Sequence, residues 1–214
     1  MQKTVLELVV RRVPKPFWVE LFHRIANVVS EARAIHDDTR FDRQELPQIE
    51  GQIRYAMTFK QLRRAAEAAG LHWEDAKTAT GNFQYPVVSA SPFMLTVSSI
   101  PAVNELPEPS DYRTSLAQAL NAAHSRPKLR DRDRATDVAK PMYGIVIYTV
   151  NKPTGTAGYL GVGFPNEDYS AWLACFSMSE LMEAYSRRDE EETTTVDDKV
   201  TPKIRRHKKE GGQD

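Results

Sequence analysis

A single cysteine, Cys175, occurs in the 214 residues. One thiol excludes an internal disulfide framework and points to a reducing compartment. It lies among Trp172, Leu173 and Phe176, where a thiol acts as a small hydrophobe rather than a nucleophile. Long apolar runs are also missing: nothing approaches the ~20 residues of a membrane span. The run near the N-terminus is only six residues long and precedes Arg11 and Arg12, the reverse of a secretory signal. Neither charge sign is in excess, since Lys plus Arg and Asp plus Glu number 29 each. A whole-chain attraction to nucleic acid or anionic lipid is thereby excluded, and any such binding needs a local patch. These absences describe a cytoplasmic protein with no membrane attachment.

Short catalytic signatures are missing as well. There is no glycine-flanked serine elbow, no cysteine with a basic neighbour and no GxxxxGK[ST] phosphate loop. GYLGVGF lacks the strand-to-helix context of a dinucleotide fingerprint, so its glycines fit close packing or a bulge. No cofactor and no metal site is expected, although catalytic groups can still assemble from distant positions.

What is present is amphipathic pattern. Residues 4–10 fit either a short strand or a helical turn, and periodicity does not decide. From Pro16 to about Ile35, Trp18, Leu21, Phe22, Ile25, Val28, Val29 and Ala32 form one apolar stripe at helical spacing. Residues 36–54 are polar, contain Pro47 and Gly51, and read as a loop with some helical turns. Thr58 and Gln61 have capping-box spacing, Met57 and Leu62 the places of a hydrophobic staple, and Gly70 the place of a left-handed stop. A second short helix starting near His72 or Trp73 would make 57–80 a helix-turn-helix-like unit.

Phe83–Ala90 and Phe93–Ile100 read as two strands joined by a tight turn at Ser91-Pro92, with Pro86 placing the first at an edge. Tyr112, Leu116, Ala119, Leu120 and Ala123 mark another helix. Met142–Val150 is the strongest strand, with Tyr159–Phe164 as its antiparallel partner. Tyr169, Trp172, Leu173 and Phe176 begin a final helical region, and Ser177 with Glu180 has capping-box spacing within it. Residues 187–214 are acidic, then basic, without aromatics, and read as a disordered charged tail. The expectation is a single α+β domain over 1–186, with helices on one face of a small antiparallel sheet of about four strands.

Three site hypotheses follow. The first is a DNA reader at 57–80, with Lys60, Arg63 and Arg64 on phosphates; Glu74 and Asp75 at the start of its second helix would repel the backbone. The second is a metal-dependent phosphoester hydrolase or nuclease on His23, His36, Asp37 and Asp38. Thirteen residues at about 100° each place the two histidines on nearly opposite sides of a continuous helix. The third is a basic recognition segment at 124–134, where Arg126, Lys128, Arg130, Arg132 and Arg134 outnumber Asp131 and Asp133. The leading expectation is a non-catalytic binding or adaptor protein. It docks a protein partner through that arginine-rich segment and the charged tail. A nucleic-acid-binding regulator is the alternative, and oligomeric state carries no signal.

Overall fold

The computed structural model describes residues 2–34, 42–125, 140–151 and 153–197. Among these residues, five helices accompany a six-stranded sheet: α1 (Gln2–Arg12), α2 (Lys15–Arg33), α3 (Leu46–Ala68), β1 (His72–Lys77), β2 (Gln84–Ala90), β3 (Phe93–Ser99), α4 (Asp111–Ser125), β4 (Met142–Asn151), β5 (Thr156–Pro165), β6 (Trp172–Ser177) and α5 (Met178–Asp197). Strand order follows chain order. All neighbours are antiparallel except β3 and β4, which run parallel through the α4 crossover. The class is therefore α+β, with a larger, mixed sheet in place of four antiparallel strands.

Period-2 alternation sorts the strand residues between two cores. Val146, Val162, Phe164, Ala174 and Phe176 meet α1, α2, α3 and α5 on one face. Tyr143, Ile145, Ile147 and Ile100 meet α4 on the other. Helices thus cover both faces, which explains why β4 is apolar on each side. The α2 stripe is buried from Phe17 to Ala32. Trp18 is fully enclosed, stacks on Phe22 and donates its indole N–H to Tyr185 at 3.1 Å. Helices α2 and α3 run antiparallel, tied by Arg24 to Gln61 at one end and by Arg33 to Glu50 at the other.

Several expectations change at this level. Residues 46–54 are helical, because α3 begins at Leu46 with Pro47 in its first turn. Thr58 is consequently not a cap: it sits in mid-helix and its hydroxyl donates back to Arg54 O at 2.7 Å, a bond open to any helical threonine. Gly70 does end the helix, at φ +67°. The second helix expected after it is instead strand β1, so 57–80 is a helix followed by an edge strand and no helix-turn-helix forms. Pro86 lies not in an edge strand but between β1 and β3. It is tolerated because the β2–β3 ladder covers only Val88–Ala90.

Residues 172–177 form edge strand β6 rather than the start of the last helix, which begins at Met178. There the Ser177–Glu180 box is made as the spacing predicts. Ser177 N–H donates to Glu180 Oε2 at 2.7 Å and Glu180 N–H to Ser177 Oγ at 3.2 Å. Those bonds hold the Glu180 carboxyl below its usual range. With a depressed folded value, their support is present above about pH 4.3 and fades as pH falls further. Ser177→Ala is expected to cost about 1 kcal/mol in urea denaturation at neutral pH. The helix continues to Asp197, beyond the expected boundary at 187, and residues 198–214 lie outside the described part.

Candidate functional site

The arginines singled out from sequence divide into two groups. Arg63 is engaged: its Nε and Nη2 both bond Asp75 Oδ1, at 3.0 and 2.6 Å, and its guanidinium lies 5.6 Å from the Trp73 ring centre. It pins α3 to β1, a structural task. Arg64 is exposed on the same helix. Arg126, Lys128, Arg130, Arg132 and Arg134 lie outside the described residues, as do His36, Asp37 and Asp38. His23 is exposed on α2, with its ring Nε2 3.3 Å from Asn27. Among the described residues, no three His, Cys, Asp or Glu side chains come together as metal ligands would. Cys175 is half-buried beside Tyr159, and burial pushes its thiol up.

A groove of about 690 Å³ runs between α1 and α5 beside the β6 edge. Leu6, Val10, Phe176 and Ala184 form its apolar floor, and lysine, arginine and glutamate side chains of both helices rim it. Arg188 closes one wall by donating to Val10 O at 2.8 Å. The helix that forms this wall carries the chain on toward 198–214.

The most unusual electrostatics lie elsewhere, under α4, where sequence reasoning placed nothing. Arg113 is only 7% exposed. It packs toward the sheet because positions 113, 117, 121 and 124 share one helix face. Its Nη1 donates to Glu108 O at 2.6 Å, and its guanidinium lies 5.0 Å from the Tyr112 ring centre. Tyr112 stacks on Tyr85 at 3.9 Å between centroids, and its hydroxyl is 3.2 Å from that of Tyr55 on α3. No carboxylate among the described residues forms an ion pair with Arg113. Burial works against its charge, and only where the phenols of Tyr112, Tyr55, Tyr169 and Tyr143 ionise, at high pH, does their negative charge outweigh burial and push it up. Burial in turn raises Tyr55, and Tyr169 to about 12, against the opposing pull of Arg113. These phenols are neutral at pH 7, so they offer hydroxyl dipoles rather than counter-charge.

A different polar network closes the α3 side. Glu50, 7% exposed, takes Arg54 at 2.6 Å and Arg33 at 3.3 Å. Thr58 Oγ1 stands 3.4 Å from the hydroxyl of Tyr148 on β4.

No protein-family model matches the chain, and no curated protein or solved structure matches it. No helix among the described residues is long and apolar enough to cross a membrane.

Proposed function

We propose that the chain is a non-catalytic binding protein that docks a macromolecular partner, with a protein as that partner. The α1–α5 groove carries this reading: an apolar floor with a rim of both charge signs suits a polypeptide surface more than a small polar substrate. Segment 124–134 and the charged region after Asp197 supply further contacts, with arginine as the residue type that recurs in interface energetics. The pairing of charged groups agrees. Arg33 with Glu50 and Arg63 with Asp75 join neighbouring elements, Glu20 with Arg24 and Glu50 with Arg54 brace single helices, and these pairs do not converge on a reaction centre. The nucleic-acid alternative has lost its reading helix, because 72–77 is a strand.

The test is cross-linking recovery of partners by full-length protein and by two variants. One carries glutamate at Arg126, Lys128, Arg130, Arg132 and Arg134; the other ends at Asp197. The expected result is a discrete partner recovered by the full-length protein and reduced at least about tenfold, about 1.4 kcal/mol, in one variant or both. No partner recovered by the full-length protein would remove the proposal, whereas equal recovery in all three would remove segment 124–134 and the region after Asp197 as contacts and leave the α1–α5 groove alone. Salt-sensitive retardation of nucleic acid that vanishes in the glutamate variant would move the reading to phosphate binding.

A further inference from the structure

Ser110 Oγ, Arg113 Nε and the Tyr169 hydroxyl are the buried side-chain polar atoms that have no hydrogen-bond partner among the described residues. Buried polar groups are nearly always paired, so each orphan calls for a physical account. These three do not scatter. Ser110 precedes the first residue of α4, and Arg113 lies one turn on. The Arg113 guanidinium folds back against Glu108 O, beside the segment that carries Ser110. Tyr169 approaches from the β5–β6 turn, its phenol close enough to the guanidinium for a hydrogen-bond-type attraction to oppose the effect of burial, although the contact falls short of hydrogen-bond geometry and leaves both the phenol hydroxyl and Arg113 Nε without a partner. Two of the three orphans are donors with unused hydrogens, and the serine hydroxyl can donate too. Free N–H groups at the start of a helix add a partial positive charge on the same side.

A lone buried guanidinium is expensive to hold. Desolvating a charge is costly unless an opposite charge and hydrogen bonds compensate. Here one carbonyl, one aromatic face and neutral phenols stand where a carboxylate would ordinarily be. Arginine's planar fork, with Nε and an Nη on one edge, matches the oxygens of a carboxylate or a phosphate.

We propose that Arg113, with Ser110 and Tyr169, forms a buried site for an oxyanion, the carboxylate or phosphate group of a ligand. The site is separate from the α1–α5 groove and does not depend on partner docking. Oxygen of the anion takes the Arg113 Nε–H, the Tyr169 O–H and the Ser110 O–H, and its charge neutralises the guanidinium.

The experiment titrates the full-length protein with inorganic phosphate and, separately, acetate, against chloride at matched ionic strength. Thermal midpoint and the Arg113 Nε–H resonance are followed together. One of the two anions is expected to raise the midpoint saturably and to move that resonance, while chloride does neither; which anion acts names the ligand's headgroup. Tyr169→Phe is expected to weaken the response at least about tenfold, about 1.4 kcal/mol, and Arg113→Met to abolish it. Arg113→Met without added anion is also expected to melt higher than the unmodified protein, since it removes an uncompensated charge. A resonance that stays fixed in both titrations would overturn the site, as would a midpoint rise that survives in Arg113→Met or in Tyr169→Phe at full size. If Arg113→Met fails to fold, Tyr169→Phe and the resonance of the unmodified protein decide.

Discussion

Raising the pH past 10 is expected to unfold the domain steeply. Seven of the eight tyrosines, at 55, 85, 143, 148, 159, 169 and 185, have phenols raised above their ordinary value, in each case chiefly by burial. In the unfolded chain these groups ionise near pH 10. In the fold they hold their protons to higher pH, so the folded state binds more protons and stability falls as pH rises. The stabilising contribution is therefore complete below about pH 10 and is lost above it. Tyr143 is fully buried, with its hydroxyl 2.8 Å from Thr96 Oγ1, and Tyr148 is nearly so. These two phenols alone remove about 3 kcal/mol per pH unit, at 1.36 kcal/mol each. Against a total of roughly 5–15 kcal/mol, one to two pH units suffices. Phenolate absorbance and far-ultraviolet circular dichroism should change together. Tyr143→Phe should make the fall shallower by about 1.4 kcal/mol per pH unit. Smooth titration near pH 10 with the dichroism intact would refute this account.

The same burial explains why some of the fold could be read from sequence and some could not. The α2 stripe was legible because its large apolar residues repeat over five turns and little else satisfies that spacing. β4 was legible because a run of β-branched and aromatic residues between turn signals has one reading. By contrast, β1 (HWEDAK) is an edge strand with mostly exposed side chains. Its Glu, Asp, Ala and Lys suit a helix surface better than a sheet, and only pairing with β2 decides its state. β6 misled for another reason. Apolar residues at 169, 172, 173 and 176 satisfy helical spacing, while 172, 174 and 176 satisfy alternation equally well. Small residues on β5 leave room for one large one on β6: Trp172 lies over Gly163, where an added Cβ would come within 2.5 Å of its ring.

The Arg113 cluster left no trace in sequence. An arginine in the first turn of DYRTSLAQAL looks like surface charge, and nothing local reveals that Tyr55, Tyr143 and Tyr169 come from three other elements. An orphaned donor is a property of the assembled molecule. The signals sequence does carry are periodic or local, whereas this site is neither. The arginines that attracted notice, such as Arg63, were conspicuous in sequence because they stood together, and the structure uses Arg63 to hold β1.

The polar residue with the largest expected effect on stability is Asn121, fully buried on α4. Pro165, at the end of β5, has no N–H to continue the ladder toward β4. The Asn121 amide takes the place of the missing peptide group. Its Nδ2 donates to Tyr143 O at 3.0 Å and to Pro165 O at 2.7 Å, and its Oδ1 accepts from Tyr143 N–H at 2.8 Å. A single side chain thereby joins α4, β4 and β5 where β4 begins. Asn121→Leu keeps nearly the same volume but strands one N–H and two carbonyls in a dry interior. At about 1–3 kcal/mol for each unpaired group, partly relieved by relaxation, the expected loss is about 3–5 kcal/mol. Asn121→Asp should be no better: it keeps the acceptor, loses both donors and sets a carboxylate against two carbonyl oxygens. Urea denaturation of the three proteins at neutral pH measures the difference. A leucine variant within about 1 kcal/mol of the parent would mean that water, or a shift of α4, satisfies those groups as well as the asparagine does. A loss of the expected size in both variants, although aspartate keeps the acceptor, would show that the two donated bonds are needed, the one to Tyr143 O standing where the N–H of Pro165 is missing.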